Sequence, residues 1–187
     1  MATDPRYRKM TADEFLAMDF GSDKRLELVD GVIVAMTGGT EPHSRIAGNI
    51  LSFLRQALRG SGCRAYGSDM GIKTNETTTR YPDVSIHCDR PYRHDNADAR
   101  TLNAPKVVFE ILSPSTATVD QGTKLQEYEH LDSLDTIIFI DPHAETVRTA
   151  QRVGPRAWRN ELVGLPIDVE LPALGIIIPK DEIFARD

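Results

Sequence analysis

Two acidic residues in apolar, strand-like segments are the residues of this chain most suited to chemistry. Asp83 follows a Tyr-Pro pair, and Glu110 lies within the run Val107 to Leu112. An unpaired carboxylate among such neighbours would cost several kcal/mol, so each acid needs a cation. Oxygen donors on neighbouring strands suit Mg²⁺ or Mn²⁺, and Lys124, near the start of a predicted helix, suits a phosphate or an attacking water. These residues predict metal-dependent phosphodiester hydrolysis.

The same carboxylates also allow a structural interpretation. Each acid could pair with an arginine, such as Arg80 or Arg64, in a buried ion pair. Glu110 would share its face of a strand with Val108 and Leu112, because alternate residues of a strand point the same way. Such apolar neighbours are unusual for a structural carboxylate, which favours the metal-binding interpretation.

Asp120, Lys124 and Tyr128 follow one another at intervals of four residues, which places them on one face of a predicted helix. If Asp120 and Lys124 form only a surface ion pair, it contributes roughly a few tenths of a kcal/mol. If the lysine is functional, it orients the attacking water or neutralises charge on the reacting phosphate. Gln121 and Tyr128 are then predicted substrate contacts beside it.

Two histidine-containing patterns allow further interpretations. His43 precedes an amphipathic stretch, where it is either a neighbour of the helix cap or a contact to substrate phosphate. Cys63, His87, Cys88 and His94 are residue types that bind zinc, but their spacing matches neither CxxC nor HxxxH, so structural zinc is not expected.

The motifs around these residues resemble those of the Uma-two family of restriction-endonuclease-like proteins. The resemblance is carried by Pro82-Asp83, by the segment from Glu110 to Thr116, by the segment from Asp120 to Lys124, by Tyr128 and by Asp141-Pro142. It extends over nearly the whole chain through three further features, which are the segment from Arg25 to Gly31, His43, and the segment from Leu171 to Gly175.

Membership of that family implies a PD-(D/E)XK nuclease fold in which Asp83 and Glu110 bind the metal. Glu27 matches the early acidic residue that often completes the metal site, although its alternation with Leu26 and Leu28 is also typical of any half-solvated strand. The simplest form of the motif has a lysine where this chain has Leu112. In the resembled family the lysine comes from the following helix, which points to Lys124.

Length and composition limit the classes of protein to consider. The 187 residues fit one domain, 1–187, with 40% hydrophobic and 27% charged residues, which is ordinary for a globular protein. No apolar run approaches the roughly 18 residues needed to span a bilayer, so a cytoplasmic protein without a membrane partner is expected. Cys63 and Cys88 are then expected to be free thiols.

The net charge of −6 argues against a protein that coats nucleic acid, because non-specific binding depends on lysines and arginines that displace counterions. It does not exclude a nuclease, since a bound metal ion offsets acidic ligands. The segment Arg90-Pro91-Tyr92-Arg93 is either a solvated loop or a basic patch for a nucleic-acid backbone.

The elements that must position these residues can be predicted from local patterns. A capping box at Thr11 to Glu14 begins a short helix, Asp30-Gly31 marks a type I′ turn within a hairpin from Leu26 to Met36, and apolar spacing predicts a helix between His43 and Arg59. The remaining predictions are strands at Arg64 to Lys73, Tyr81 to Cys88, Lys106 to Leu112 and Thr136 to Asp141, a helix from Val119 to Leu131, a hairpin of Glu145 to Arg152 with Ala157 to Val163, and a long loop from Cys88 to Pro105.

This order of elements predicts an α/β fold in which a mixed sheet is flanked by helices. The predicted function is a Mg²⁺-dependent nuclease that acts on DNA, and a homodimer would suit cleavage of both strands. The alternative is a non-catalytic binding or assembly module with the same fold, since a fold does not guarantee an activity.

Overall fold

The computed structural model describes residues 8–21, 24–36, 38–88, 99–113, 120–163 and 168–186, with the backbone alone described at 120, 121 and 163. None of the helices in these ranges is long and apolar enough to cross a membrane. In chain order the elements are α1 (Ala12–Ala17), β1 (Leu26–Val29), β2 (Val32–Ala35), α2 (Glu41–Ala57), β3 (Arg64–Gly67), β4 (Ile72–Asn75), β5 (Thr78–Arg80), β6 (Val84–His87), β7 (Pro105–Ile111), a π-helical turn (Asp120–Lys124) continued by α3 (Leu125–Glu129), β8 (Thr136–Asp141), β9 (Thr146–Gly154), β10 (Ala157–Val163), β11 (Val169–Leu171), a 3-10 turn (Pro172–Leu174), β12 (Ile176–Ile178) and α4 (Lys180–Phe184).

The first predicted helix and hairpin are both confirmed. Thr11 Oγ1 accepts a hydrogen bond from the Glu14 amide at 3.2 Å, and the Glu14 carboxylate accepts one from the Thr11 amide at 2.9 Å. This reciprocal capping box begins α1. Asp30 and Gly31 have φ values of 49° and 80°, the positive angles that a type I′ turn between β1 and β2 requires.

The central sheet has six strands in the order β10-β9-β8-β7-β6-β3. β7 and β8 are parallel, and the other neighbours are antiparallel, so the predicted mixed sheet is confirmed. Ile46, Ile50 and Leu54 recur along one face of α2 and are fully buried against this sheet. That contact is the principal source of stability for an amphipathic helix.

β7 is buried on both faces, which determines the environment of Glu110. Val107 and Phe109 face the core formed with α2, whereas Val108 and Leu112 pack with Leu125 and Tyr128 on the opposite side. Glu110 therefore faces the α3 side of the sheet, since it alternates with Phe109 along the strand.

A second sheet has the strand order β2-β1-β5-β4. The prediction of one strand from Arg64 to Lys73 is wrong, because β3 ends at Gly67 and β4 begins at Ile72, in a different sheet. β5 then carries Arg80, and the next three residues lead into β6. The two sheets thus meet at the segment from Arg80 to Asp83.

The prediction of two free thiols is also wrong. Cys63 precedes β3 and Cys88 follows β6, and the register pairs Arg64 with His87, so the two cysteines lie opposite each other. They form a disulfide across 25 residues of sequence. The pairing depends on the register of the two strands, which the cysteine count alone does not contain.

The later elements differ in how well they were predicted. β8, β9 and β10 confirm the predicted strand and hairpin, whereas the hairpin of β11 and β12 and helix α4 were not predicted. The predicted helix from Val119 is described from residue 120 onwards and begins with the π-helical turn. The basic segment from Arg90 to Arg93 lies outside the described residues, as do His94 and most of the predicted loop.

Candidate active site

Asp83 and Glu110 lie next to each other at the ends of two paired strands. In the antiparallel pair of β6 and β7, Val84 is opposite Phe109, so the same register places Asp83 opposite Glu110. The Ile111 amide donates a hydrogen bond of 2.7 Å to Asp83 Oδ2. This bond connects the Asp83 carboxylate directly to the backbone beside Glu110, and the structure thereby brings the two predicted metal ligands together.

Glu110 is 3% exposed, and its two carboxylate oxygens contact two different side chains. Lys124 Nζ donates to Oε2 at 2.9 Å, and the Tyr128 hydroxyl donates to Oε1 at 2.6 Å. Both donors lie on the face of the π-helical turn and α3 that packs on β7. Charge-assisted hydrogen bonds of this kind allow a buried carboxylate to keep its charge.

Lys124 lies in the interior and not on the outer surface of the helix. It is 9% exposed and is the last residue of the π-helical turn Asp120–Lys124. Single π turns occur frequently at functional sites. The alternative of a solvated surface pair does not fit this burial. The side chains of Asp120 and Gln121 lie outside the described part of the chain.

Tyr128 is fully buried behind Glu110. Burial is the main reason that the pKa of its hydroxyl lies well above the ordinary value, and the nearby negative charge of Glu110 raises it further. The hydroxyl consequently remains protonated and acts as a donor to Glu110. The location of Tyr128 fits a role in positioning the Glu110 carboxylate, and it does not fit the predicted role of a substrate contact as well.

His43 contacts the other carboxylate. Its Nε2 lies 3.2 Å from Asp83 Oδ2, and both side chains are partly buried. The hydrogen bond with Asp83 is the main reason that the pKa of His43 is raised, and burial opposes that change. A Cβ atom at Gly39 would lie 2.5 Å from His43 Nδ1, so glycine at position 39 leaves room for the ring.

Glu27 belongs to a buried ion-pair network. Its Oε2 accepts from Arg80 Nη1 at 3.0 Å, and its Oε1 accepts from the Tyr81 amide at 3.1 Å. Arg80 also donates two hydrogen bonds, of 2.7 and 2.8 Å, to the Glu127 carboxylate on α3. The sequence offered Glu27 as a metal ligand or as a position in a half-solvated strand, whereas the structure buries it in an ion pair with Arg80. Its bond to the Tyr81 amide fixes the backbone two residues before Asp83.

Two residues of this network were not predicted as part of the site. The sequence offers Arg80 only as a partner for Asp83 or Glu110, and it gives no prediction for Glu127. Arg80 is 3% exposed, and a buried arginine requires acidic partners. Its position directly before Tyr81-Pro82-Asp83 was the available signal, whereas the identity of Glu127 depends on how α3 packs.

The donor set fits Mg²⁺ better than it fits zinc. Among the residues whose side chains are described, no group of three or more His, Cys, Asp and Glu side chains could hold a metal ion. Mg²⁺ is commonly bound through one or two carboxylates and keeps several waters, so Asp83 and Glu110 are the described residues that would suit it. Structural zinc takes four protein ligands, and Cys63 and Cys88 are bonded to each other.

Comparisons with known proteins agree on one family. The Uma2 (Uma-two) family model, described as "Putative restriction endonuclease", matches residues 12–177. Among curated proteins, the uncharacterised protein sll1609 of Synechocystis sp. is 28% identical over 169 residues, covering 89% of this chain and 95% of the relative. The uncharacterised protein slr1290 of the same organism is 27% identical over 179 residues, covering 95% and 93%.

The fold is also shared with a solved structure. The crystal structure of a protein from Anabaena variabilis, described as a "putative nuclease belonging to DUF820", superposes with a TM-score of 0.75 at 22% identity, and the match covers 94% of this chain and 98% of that chain. At that identity the similarity shows the fold alone. The family match, which spans the elements from α1 to β11 and extends into β12, shows that this chain belongs to the Uma-two family.

Proposed function

We propose that this protein is a Mg²⁺-dependent nuclease that hydrolyses phosphodiester bonds of DNA. The observation that supports this proposal most strongly is the position of Lys124 Nζ, 2.9 Å from Glu110 Oε2, on a carboxylate that lies beside Asp83. Two adjacent carboxylates and one ammonium group are the set of groups that metal-assisted phosphodiester hydrolysis requires. Membership of the Uma-two family supports the same proposal.

Each group has a distinct proposed role. Asp83 and Glu110 would hold the metal, whose chemistry when bound would be to polarise the phosphate and lower the pKa of a bound water. Lys124 donates from Nζ to a non-bridging phosphate oxygen or to the attacking water, and so stabilises charge that develops in the transition state. Lys124 is suited to this role because its ammonium ends a flexible stem and can move between Glu110 and substrate.

The surrounding residues position these groups or meet substrate. Tyr128 orients Glu110 from behind through its 2.6 Å hydrogen bond. Glu27 supports the metal site by holding the Tyr81 amide, and with it the segment that leads to Asp83. His43 steadies Asp83 and lies at the edge of the site, where it and Gln121 remain predicted contacts of the substrate phosphate.

One observation supports the alternative of a non-catalytic binding module. Both oxygens of Glu110 already have donors, and the Lys124 and Glu110 charges neutralise each other without a metal. A family member that had lost its activity could retain this ion pair for stability alone. The two functions differ in whether divalent metal binds and whether DNA is cleaved.

The test is cleavage of single-stranded and duplex DNA by the whole chain in Mg²⁺, in Mn²⁺ and in chelator. Asp83→Asn and Lys124→Met keep most of each side chain's shape, and Asp132→Asn is a matched control because Asp132 is an exposed acid in the turn after α3. Asp83→Asn and Lys124→Met should each reduce cleavage at least about 100-fold, and Asp132→Asn should not.

Calorimetry with Mg²⁺ separates the two roles. Asp83→Asn should weaken metal binding, whereas Lys124→Met should bind metal about as well as the native chain, since lysine is not a ligand. Cleavage that persists in chelator, or that is equal in all three variants, would contradict the proposal. Absence of both cleavage and metal binding in the native chain would favour the non-catalytic module.

A further inference from the structure

A cavity of about 330 Å³ is lined in part by Tyr81, which lies two residues before Asp83 in the chain. Its apolar wall includes the rings of Phe15, Phe20 and Tyr81, and the first two have centroids 5.3 Å apart. The volume is within the range of pockets that bind small molecules, about 300–1,000 Å³. The cavity is thus large enough for a flat organic group and has aromatic surfaces for it to contact.

Charged side chains are also part of the lining. Lys24, Arg25 and Arg100 contribute three cations, and Asp19 and Asp69 contribute two carboxylates; all five residues are exposed. Among the described lining residues the cations exceed the carboxylates by one, and Arg25 lies 3.6 Å from the Asp69 carboxylate, on a chain whose net charge is −6. A local excess of this sign favours an anionic ligand such as a phosphate.

Both arginines are held in place by the chain. Arg100 Nη1 donates to the Met18 carbonyl at 3.0 Å, beyond the last turn of α1. Arg25 Nη2 contacts the Ser68 hydroxyl and lies 3.4 Å from the Ser68 carbonyl. These contacts hold both guanidinium groups at the cavity, where their planar arrays of N–H donors can hydrogen-bond a phosphate or the edge of a ring.

Gly71 connects the tyrosine wall to one of these arginines. Its amide donates to the Arg100 carbonyl at 3.0 Å, and a Cβ atom at this position would lie 3.1 Å from the Tyr81 ring. The ring thus packs closely over this glycine. The Tyr81 amide is held by Glu27, and Asp83 follows two residues later, so the cavity and the proposed metal ligands share one short backbone segment.

We infer that this cavity binds one unpaired nucleobase of the nucleic-acid substrate, beside the phosphodiester that Asp83 and Glu110 address. Aromatic rings and arginine planes are the surfaces on which unpaired bases stack, and carboxylates accept hydrogen bonds from the amino groups of bases. A phosphate alone would not use the aromatic wall, and a base within a duplex cannot reach such a cavity without leaving the stack. The inference rests on the proposed function and narrows its substrate to single strands or duplexes with an extruded base.

Binding in chelator tests this inference without cleavage. The probe is a fluorescein-labelled single strand of about 12 nucleotides, within the usual site size of single-strand binding proteins. It is compared with a strand of the same length that lacks its bases and with a blunt duplex. Tyr81→Leu and Phe20→Leu remove flat rings and keep apolar bulk, and Arg25→Gln is matched with Arg156→Gln, an exposed arginine in the turn between β9 and β10.

The native chain should bind the single strand more tightly than the duplex. Tyr81→Leu should weaken single-strand binding about tenfold and leave binding to the abasic strand unchanged, because one stacked base contributes about that factor. Arg25→Gln should weaken binding to both strands, and Arg156→Gln to neither. A 2-aminopurine placed in the strand should lose fluorescence on binding to the native chain, as it does when it stacks on a ring.

Equal affinity of the native chain and both ring variants for the single strand would overturn the inference, as would an equal loss on the abasic strand. If Tyr81→Leu does not fold, Phe20→Leu gives the same comparison. Base-dependent binding without any metal-dependent cleavage would contradict the proposed nuclease function and support the base site. Metal-dependent cleavage by the native chain, together with single-strand binding that neither ring variant weakens, would support the proposed nuclease and contradict the base site.

Discussion

Lys124 and Arg80 show how two buried cations near the same acids can serve different purposes. Arg80 makes two parallel hydrogen bonds to Glu127 and a third to Glu27, which fixes its planar group in one orientation. The Lys124 ammonium, at the end of a flexible stem, donates to one oxygen of Glu110. A lysine ammonium can rotate to a new acceptor more easily than a guanidinium held by bidentate hydrogen bonds. We therefore assign the proposed catalytic role to Lys124 and a structural role to Arg80.

The contact between His43 and Asp83 gives a residue-level prediction about Gly39. Gly39→Ala would place a methyl group 2.5 Å from His43 Nδ1 and should displace the ring from Asp83. Loss of that hydrogen bond should lower the pKa of His43 toward its ordinary value, since the bond to Asp83 is what raises it most. NMR titration of the His43 ring protons, in chelator, measures this change.

The adjacent glycine supplies the control. A Cβ atom at Gly38 would meet nothing within 4 Å, so Gly38→Ala should leave the His43 titration unchanged. If both variants titrate like the native chain, the ring has another way to reach Asp83, and the role of Gly39 is not steric.

Residue type predicted the two acids, and the family resemblance pointed to Lys124, but neither predicted their partners. A carboxylate within Val107 to Leu112 needs a cation wherever the strand lies, so Glu110 could be chosen before any fold was known. The Glu27 and Arg80 pair depends on β1 and β5 being neighbours, and the Arg80 and Glu127 pair depends on α3 crossing the sheet junction. These long-range contacts have no local signature in the sequence.

Elements with strong local signals were predicted best. The capping box of α1, the Asp30-Gly31 turn and the apolar runs of β7 and β8 each contain their own evidence, and all are confirmed. The division of the segment from Arg64 to Lys73 between two sheets was missed, because a β-pattern indicates that a residue is extended but not which partner it pairs with. β11 and β12, three residues each, are too short to give a clear pattern.

The helix caps provide a matched prediction at the scale of elements. Thr11→Ala should lower the free energy of unfolding by about 1 kcal/mol, because its hydroxyl satisfies the Glu14 amide at the start of α1. Thr40→Ala, at the equivalent position of α2, should cost much less, since Thr40 makes no side-chain capping bond. Urea denaturation of the two variants measures the difference directly.

The Thr11→Ala variant also tests the proposed base-binding cavity, because Phe15 and Leu16 of α1 line that cavity. If Thr11→Ala frays α1, binding of the single-stranded probe should weaken together with stability. If Thr11→Ala lowers the free energy of unfolding as little as Thr40→Ala does, the capping box contributes little. The packing of Phe15 on Leu28 would then hold α1 in place.

At the scale of the whole molecule, the proposed site lies where two sheets meet. Glu27 and Arg80 come from the four-stranded sheet, Asp83 and Glu110 from paired strands of the six-stranded sheet, and Lys124 from the helical segment that covers both. None of these elements forms the site alone, so its geometry depends on how the sheets are held together. The disulfide closes the chain around this junction, from Cys63 before β3 to Cys88 after β6.

Removal of the disulfide should therefore weaken the fold more than the site. A covalent link that closes a loop of 25 residues is expected to contribute roughly 3 kcal/mol, mostly by restricting the unfolded chain. The double variant Cys63→Ser with Cys88→Ser should lose about that free energy of unfolding, which lowers Tm by roughly 6 to 12 °C for a domain of this size. Asp83 lies at the opposite end of β6 from Cys88, so Mg²⁺ binding by the folded variant should match that of the native chain.

Reductant should lower the Tm of the native chain and leave the Tm of the double variant unchanged. A native chain whose Tm does not respond to reductant would show that the two sulfurs are not joined in solution, and the pairing of β3 with β6 would then be maintained by backbone hydrogen bonds and core packing alone.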